Sequence, residues 1–359
     1  MSLRTDRAVA ITGGAGFIGS NLADTLLRGG ERVIVLDNLS RPGTEKNLRW
    51  LVDRHAEGLR VEIGDVRDAG LVARIVREAH TVYHLAAQVA VTASITDPAH
   101  DFEVNLEGTL NVLEAARRTS PSPVVLFTST NKVYGDLRRV PIELNGTRYR
   151  FRDERSGIAE DQPLDFHSPY GCSKGAADQY VRDYARIYAL PTAVYRMSCI
   201  YGPRQFGNED QGWVAHFAIS AMCGDTITLY GDGKQVRDVL YVDDLIDALV
   251  RGGEAARERP GCIYNVGGGE ENAVSLLEML TLLERVLERP IRRRHAQWRP
   301  GDQRIYVSDI EKIASDLDWA PDVSKAEGVE RLVGWIEEHA GTVLPAARAR
   351  ERAGHPISA

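Results

Sequence analysis

The sequence predicts an α/β fold in which a doubly wound parallel sheet carries a smaller C-terminal α/β lobe. Two observations predict it. Up to about residue 130, short apolar runs alternate with longer amphipathic stretches, an order typical of parallel strands joined by helices. A glycine-rich turn, Gly13–Gly19, joins the first apolar run to the first amphipathic stretch. The chain has 359 residues, 43% of them hydrophobic, which is enough to form a sizeable core.

The apolar runs of the N-terminal part are predicted to be strands buried on both faces, because they are nearly continuous and rich in β-branched residues. They are Ala8–Thr12, Arg32–Leu36, Leu59–Ile63, Thr81–Leu85 and Val124–Thr128, with helices predicted at Phe17–Arg28, Ala69–Glu78 and Ala99–Arg118. The charged stretch Leu137–Phe166 is predicted to be a long loop. Beyond it we expect a helix at Tyr170–Tyr188, a strand at Thr192–Ser198, and helices at Asp243–Gly252 and Val274–Glu288.

Composition and charge disfavour several kinds of partner, site and location. The formal net charge is −7, which disfavours nucleic acid as the main partner. The cysteines are scattered and form no Cys-x-x-Cys pair, so no metal site is expected and a reducing, cytoplasmic compartment fits. Met1–Arg7 has no apolar stretch, and no run approaches about 20 apolar residues, so neither a signal peptide nor a membrane span is expected.

The turn after the first strand carries a dinucleotide-binding fingerprint. Glycines at positions 14, 16 and 19 permit a tight turn, close approach of a pyrophosphate and close helix packing. The following helix would direct its first N–H groups at the phosphates. The simpler interpretation is a glycine-rich turn without a ligand. The position between a strand and a helix favours a Rossmann-type site made of Gly13, Gly14, Gly16, Phe17, Ile18 and Gly19.

Asp37 ends the second predicted strand and indicates which dinucleotide binds. A carboxylate there accepts bonds from the ribose hydroxyls of NAD and repels the 2′-phosphate of NADP. Alternatively, Asp37 only caps the next turn. Arg41 leaves NADP as an alternative cofactor, because a nearby arginine can bind a 2′-phosphate.

Tyr170 and Lys174 are candidates for proton transfer. The i, i+4 spacing places both side chains on one face of the predicted helix. A phenol has a pKa of about 10, and we expect the Lys174 ammonium to lower the pKa of Tyr170. Ser129 and Thr130, at the end of a predicted strand, can supply a hydroxyl beside Tyr170. The same spacing at Tyr230 and Lys234 falls in a glycine-containing turn and is interpreted as structural.

Together these motifs resemble the extended short-chain dehydrogenase/reductases of the NAD-dependent epimerase/dehydratase family, over nearly the whole chain. The resemblance implies NAD as cofactor and nucleotide sugars as substrates. It implies that residues 1–190 form the NAD-binding Rossmann domain, with its sheet completed by about 192–200 and 236–266. Residues 201–235 and 267–342 would form the substrate lobe, and 343–359 a loose tail. The remaining residues implied to contact the cofactor are Asn38, Ser40, Asp65, Val66, Leu85, Ala86, Ala87, Gln88 and Asn105.

The resemblance also implies substrate contacts. Arg237 and Arg299 would clamp the diphosphate of a nucleotide sugar, since arginine forks suit that geometry; alternatively each forms a surface ion pair. The other implied substrate contacts are Thr130, Asn131, Cys199, Arg204 and Gln211. The resemblance further implies that the helices near 105–118 and 170–188 form a homodimer interface, although burial within one chain explains their apolar stripes equally well.

The residues after Thr130 narrow the subfamily. Sugar-nucleotide 4,6-dehydratases have Asp-Glu there, whereas this chain has Asn131-Lys132, which disfavours dehydration. The segments at 129–136, 164–179, 201–214 and 233–240 are similar to the subfamily of CDP-paratose (CDP-tyvelose) 2-epimerases. This resemblance implies C2 epimerisation of a CDP-hexose through a transient keto-sugar. UDP-glucose 4-epimerase, UDP-glucuronate decarboxylase and a non-catalytic NAD-binding sensor remain the alternatives.

Overall fold

The computed structural model describes residues 7–299 and 302–344. The strands are β1 (Ala8–Thr12), β2 (Val33–Asp37), β3 (Leu59–Ile63), β4 (Ala79–His84), β5 (Val124–Thr130), β6 (Ile142–Asn145), β7 (Arg148–Phe151), β8 (Thr192–Met197), β9 (Cys199–Tyr201), β10 (Ile227–Tyr230), β11 (Val236–Tyr241), β12 (Cys262–Val266), β13 (Ala273–Ser275), β14 (Arg293–Ala296) and β15 (Ile305–Tyr306).

The helices are α1 (Phe17–Arg28), α2 (Thr44–Arg54), α3 (Ala69–Arg77), α4 (Val91–Thr96), α5 (Pro98–Phe102), α6 (Gly108–Arg117), α7 (Ser168–Tyr188), α8 (Trp213–Cys223), α9 (Val242–Ala255), α10 (Leu276–Val286), α11 (Glu311–Leu317) and α12 (Lys325–Glu338). A π-helical turn, Glu103–Glu107, joins α5 to α6, and a 3-10 turn, Asn131–Tyr134, follows β5. Within the described residues, no helix combines the length and apolar character needed to span a membrane.

The predicted doubly wound parallel sheet is present. Its seven strands have the order β12-β8-β5-β4-β1-β2-β3, and every neighbouring pair is parallel. Side chains of β1 alternate between two cores: Val9 and Ile11 pack with α1, α9 and the C-terminal helices, whereas Ala8 and Ala10 pack with α3, α6 and α7. Burial on both faces explains the continuous apolar runs in the sequence.

The smaller sheets are built mainly from the second half of the chain. β11 pairs with β13, β15 and β9, and β10 pairs with β14. Of the region 236–266, only β12 therefore completes the large sheet, while β11 belongs to a smaller one. The predicted domain boundaries otherwise stay a prediction.

The prediction that Leu137–Phe166 is one long loop was wrong. The segment contains the antiparallel hairpin β6–β7, in which Glu143 faces Arg150. Its turn begins with Asn145-Gly146, and Gly146 has φ +59°, a dipeptide that favours hairpins. Tyr149 packs with residues of β11 and β13, so tertiary burial stabilises strands whose sequence is too charged to show a clear alternation.

The predicted helix Ala99–Arg118 is interrupted, since it consists of α5, the π-helical turn and α6. The other predicted elements are present, with ends that agree or differ by one to three residues. The predictions missed α2, α4, α8, α11 and α12. Val343, the first residue of the predicted tail, is buried and helical; the rest of that prediction, residues 345–359, lies outside the described residues, as do Met1–Asp6.

Candidate active site

A cavity of about 680 Å³ opens at the carboxyl ends of β1, β2, β4, β5 and β8, where open α/β sheets bind their ligands. Most of the predicted site residues line it. They are Gly13, Gly16, Phe17, Ile18, Gly19, Asp37, Asn38, Ser40, Arg41, Asp65, Val66, Leu85, Ala86, Ala87, Gln88, Ser129, Thr130, Asn131, Tyr170, Lys174, Cys199 and Gln211. Gly14, Asn105, Arg204, Arg237 and Arg299 lie outside the lining.

The glycines of the turn are required for different steric reasons. Gly13 has φ +70°, and a Cβ there would lie 2.8 Å from the main-chain nitrogen of Ala86. A Cβ on Gly14 would lie 2.7 Å from the side chain of Val35, and one on Gly19 would collide with the backbone of Gly13. Gly16 lines the cavity and caps α1 without a side-chain bond. The first turn of α1 therefore presents main-chain N–H groups to a phosphate.

Asp37 is held by the turn that it faces. Its carboxylate accepts hydrogen bonds from the main-chain nitrogens of Ala15, at 3.0 Å, and Leu39, at 2.8 Å. Burial raises the pKa of Asp37, while these bonds and the charge of Arg41 lower it. The carboxylate is therefore fixed at the end of β2, beside the glycine turn, as a ribose acceptor requires.

A second carboxylate lies further along the cavity. Asp65 accepts bonds from Asn38, at 2.9 Å, and from the guanidinium of Arg67. The bond from Arg67 lowers the pKa of Asp65 to about 2, so the group is charged at neutral pH. Val66 is buried beside it, and its main-chain oxygen accepts a bond from Asn111. These contacts order the wall implied to meet adenine.

The loop Leu85–Gln88 is positioned by Asn105, which is buried beneath it. The main-chain nitrogen of Gln88 donates to the Asn105 side-chain oxygen at 2.9 Å, and Asn105 donates back to the Gln88 carbonyl at 3.0 Å. Asn105 lies in the π-helical turn Glu103–Glu107. It therefore lies outside the cavity lining and shapes the cavity through this loop.

His84 supports the same loop as a neutral ring. Burial lowers the pKa of His84 to about 3. Thr109 donates its hydroxyl to the Asn105 carbonyl, so the His84 Nε2–H donates to Thr109 at 3.0 Å and Nδ1 accepts from Thr12 at 2.7 Å. This bonding fixes the tautomer and joins the ends of β1 and β4 to the π-helical turn.

Tyr170 stands at the start of α7, buried and lining the cavity. The hydroxyl of Thr130 lies close enough to influence its pKa. Burial raises the pKa of Tyr170 to about 12, the Thr130 hydroxyl and the charge of Arg41 lower it, and Asp101 raises it. The two predicted hydroxyls differ: that of Ser129 donates to Asp178 at 2.7 Å, so its proton is committed to that carboxylate.

Lys174 does not act on Tyr170 as the sequence suggested. Its ammonium donates to the Thr128 carbonyl at 2.7 Å and lies 4.0 Å from the centroid of the Phe127 ring. Burial lowers the pKa of Lys174 to about 7, while Asp178 and Asp101 raise it. The expected lowering of the Tyr170 pKa by Lys174 is not observed, because burial has the largest influence on that pKa and raises it to about 12.

The far end of the cavity is lined by Asn131, Lys132, Cys199, Gln211 and Trp213. Lys132, which the sequence analysis did not place in the site, directly follows Asn131, and its main-chain nitrogen donates to Thr130 at 3.2 Å. Burial lowers the pKa of Lys132, and Arg237 lowers it further. Burial also raises the pKa of the Cys199 thiol, which is therefore a neutral, weakly polar part of the wall. The position of Lys132 at a strand end was the available sequence signal.

The three predicted arginines do not line the cavity, and each is held by other contacts. Arg237 is buried and its guanidinium pairs with Asp302 at 2.6 Å. Arg299 donates to the Glu209 carbonyl and pairs with Asp210 at 3.5 Å. The Arg204 guanidinium stacks 3.1 Å from the centroid of Trp50, and burial lowers its pKa to about 10. Arg204 therefore packs against Trp50 of α2, and it does not line the cavity.

Two other groups lie outside the cavity lining. Tyr230 and Lys234 flank a turn with glycines at φ +84° and +74°, so they do not share a helix face.

Among the described residues, Asp136, Asp165 and His167 form the one group of carboxylates and imidazoles close enough to hold a metal ion. Arg138 already pairs with Asp136.

The fold and the site define a class of protein. Residues 10–332 match the family model described as GDP-mannose 4,6 dehydratase. With a glycine turn, a strand-ending aspartate and a Tyr-Lys pair around one cavity, the chain belongs to the NAD-dependent epimerase/dehydratase family of enzymes.

Individual relatives refine the comparison. The chain is 45% identical over 332 residues to CDP-paratose 2-epimerase of Salmonella typhi, covering 90% of this chain and 98% of that protein. A dTDP-glucose 4,6-dehydratase of Streptomyces venezuelae, solved with NAD bound, has a TM-score of 0.81 at 33% identity, covering 94% of this chain and 99% of that one. UDP-glucose 4-epimerase of Thermotoga maritima, solved with UDP-glucose, has a TM-score of 0.78 at 29% identity, covering 93% and 99%.

Proposed function

We propose that this enzyme inverts C2 of a CDP-hexose through a transient keto-sugar, with NAD as its cofactor. One observation carries the proposal: the positions directly after Thr130 hold Asn131 and Lys132 on the wall of the cavity. Neither side chain is a carboxylic acid, so the pair lacks an acid that could assist loss of water from the sugar. Epimerisation by reversible hydride transfer needs no such acid, and the 45% identity to a CDP-paratose 2-epimerase favours C2.

The NAD site follows from the groups along the cavity. The glycine turn and the first turn of α1 bind the pyrophosphate, Asp37 accepts from the adenosine ribose, and Asp65 with Val66 borders the adenine. The Leu85–Gln88 loop, held by Asn105, borders the nicotinamide half. Because Asp37 is fixed by two main-chain donors, it cannot turn away from a 2′-phosphate, and NAD is favoured over NADP.

The chemistry is divided between cofactor and protein. NAD, when bound, accepts hydride from the sugar carbon and returns it to the opposite face. Tyr170 takes the proton of the sugar hydroxyl and returns it after the keto-sugar has turned in the cavity. Thr130 holds the phenol oxygen through a hydrogen bond and orients it toward that hydroxyl. Lys174 lies four residues further along the same helix and supplies positive charge beneath the reacting groups.

Arg237 and Arg299 bind the diphosphate in this proposal. Both are engaged with carboxylates, Asp302 and Asp210, which hold the guanidinium groups in place until a phosphate competes for them. Arg forks bind phosphate in a bidentate manner. Asp210 lines the cavity, so the Arg299 pair lies at its edge, where an anionic ligand can enter.

A UDP-sugar epimerase acting at C4 is the second candidate, because the Thermotoga maritima structure is similar over the whole chain. The non-catalytic sensor is disfavoured, since Tyr170, Thr130 and Lys174 are all present around the cavity. We also propose a homodimer, because α5 and α7 carry exposed apolar side chains: Phe102, Tyr180, Ile187 and Tyr188. Localisation in the cytoplasm stays an expectation.

The test is a panel of CDP-, UDP-, GDP- and dTDP-hexoses incubated with purified enzyme and followed by NMR at C2 and C4. Inversion at C2 of a CDP-sugar alone supports the proposal. Turnover confined to a UDP-sugar, or inversion at C4, contradicts the substrate but keeps the mechanism. Tyr170→Phe is the control; a variant that kept full activity would contradict the mechanism itself.

A further inference from the structure

Asp101 is a fully buried carboxylate close to the active site that no motif singled out. It lies in α5 and is 0% exposed. Its partners are three neutral donors: the Ser173 hydroxyl at 2.5 Å, the Gln88 amide at 2.8 Å and the Asn105 amide at 3.1 Å. A buried carboxylate that is bonded only to neutral groups keeps its negative field in the low-dielectric interior. Because burying such a charge costs free energy, we expect it to have a specific role.

Its three partners belong to three different parts of the site. Ser173 lies on α7 between Tyr170 and Lys174, Gln88 ends the loop that lines the cavity, and Asn105 lies in the π-helical turn. The π-helical turn is located where Asn105 must reach the loop, and such turns are frequent at functional sites. Asp101 therefore joins the helix that bears the Tyr-Lys pair to the wall beside the nicotinamide half of the cavity.

We propose that Asp101 is a positioning residue that locks α7 to the Leu85–Gln88 loop and adds buried negative charge to the surroundings of Lys174. This inference rests on the proposed function for its catalytic consequence only. Asp101 touches neither cofactor nor substrate in the proposal, and acts through Ser173, Gln88 and the field at Lys174.

The charges around Lys174 agree with this role. Asp178 and Asp101 are the carboxylates that raise the pKa of Lys174 against burial. Asp178 has the larger influence but is also paired with Arg196 at 2.9 Å, whereas the hydrogen-bond partners of Asp101 carry no charge. The groups that face this region from other elements are Tyr170 on α7, the neutral His84 on β4 and Arg41 after β2.

Asp101 also raises the pKa of Tyr170. Removing its charge therefore lowers the pKa of both members of the pair. The limbs of the pH–rate profile of the holoenzyme that these two groups set therefore move to lower pH, by about half a unit to one unit. A group that only stabilises the fold changes the height of the profile and leaves its limbs in place.

The experiment compares Asp101→Asn with Ser173→Ala in the NAD-bound enzyme, using the nucleotide sugar that the wild type turns over. Asp101→Asn keeps the shape and removes the charge, whereas Ser173→Ala removes a bond and keeps the charge. We expect these limbs to move only in Asp101→Asn, with Asp101→Glu restoring them. Coincident limbs in Asp101→Asn and wild type would overturn the inference. If Asp101→Asn does not fold, Asp101→Ser carries the same comparison.

A second readout needs no substrate and so separates this inference from the proposed function. In cofactor-stripped protein, Lys174 loses its proton at lower pH once Asp101 is neutral. The pH above which unfolding stability begins to rise should therefore be lower in Asp101→Asn than in wild type. That difference should vanish in a Lys174→Met background. Persistence of the difference there would assign the effect to another group and overturn the inference.

Discussion

The ammonium of Lys174 lies 2.7 Å from the main-chain oxygen of Thr128. This bond ties α7 to β5 two residues before Thr130, whose hydroxyl lowers the pKa of Tyr170. The bond therefore holds the end of β5 and the start of α7 in a fixed arrangement. The phenol of Tyr170 lines the cavity at this point. The same contact buries the ammonium against the Phe127 ring at 4.0 Å, which makes its protonation dependent on pH near neutrality.

Cofactor-stripped enzyme should gain stability from Lys174 as the pH rises from 7 to 9. Burial lowers the pKa of Lys174 to about 7, below that of an unfolded lysine, so the unfolded state binds the extra proton between those values. Stability then increases with pH by up to roughly 1–3 kcal/mol over this window. Urea unfolding at both pH values measures it, with Lys174→Met as the control. An equal pH dependence in that variant would contradict the prediction.

Thr130 and Ser129 should respond differently to loss of their hydroxyls. Thr130→Val removes the hydroxyl that orients Tyr170 in the proposed mechanism and should lower kcat by about 10²-fold or more, with little change in stability. Ser129→Ala leaves the buried Asp178 without one donor and should cost about 1–3 kcal/mol of unfolding free energy, with kcat within a few fold of wild type. Steady-state kinetics and urea titrations of both variants decide; the reverse pattern would show that Ser129 orients the phenol.

Lys132→Met should weaken binding of the nucleotide sugar while leaving NAD binding unchanged. The ammonium lies 4.0 Å from Asp302, which Arg237 also contacts at 2.6 Å, so two cations share one carboxylate and excess positive charge faces the cavity. We expect KM for the sugar nucleotide to rise about tenfold, with the NAD dissociation constant within twofold. Calorimetric titration with each ligand separates the two. A larger loss of NAD affinity than of sugar affinity would place Lys132 at the other end of the cavity.

Two glycine substitutions should have opposite effects on the free energy of unfolding. Gly13→Ala places a Cβ 2.8 Å from the Ala86 backbone at φ +70° and should destabilise the protein by about 1–3 kcal/mol and weaken NAD binding. Gly334→Ala, inside α12 with nothing within 4 Å of its Cβ, should stabilise it by about 0.5–1 kcal/mol. Thermal unfolding with and without NAD compares them, and equal effects would show that the turn tolerates a side chain.

The sequence was most informative where local and global preferences agree. β1 and α1 were predicted to the residue, because a strand buried on both faces and a helix after a glycine turn each leave a strong pattern. The hairpin β6–β7 was missed because its strands carry charges outward, as in the pair Glu143–Arg150, and are stabilised by packing on distant β11. Only its Asn145-Gly146 turn could have indicated it.

The residues of the candidate site also differ in how well the sequence predicts them. Cofactor contacts that belong to contiguous motifs, such as Gly13–Gly19 and Leu85–Gln88, could be read from order along the chain. The substrate arginines could not, because whether Arg204 faces the cavity or stacks on Trp50 depends on the path of the chain over α2. Asp101 had no sequence signal, since a single aspartate in an amphipathic helix normally faces water and only the fold buries it.

The most direct test of the central claim is to run the reaction on a CDP-hexose in D₂O without added cofactor, and to examine C2 by NMR. Internal hydride transfer returns the original hydrogen to the opposite face of the same carbon. The account therefore predicts inversion at C2 with no deuterium at that carbon, and loss of inversion in Tyr170→Phe. Deuterium at C2 of the product would contradict it, because the hydrogen would then have left as a proton rather than as a hydride.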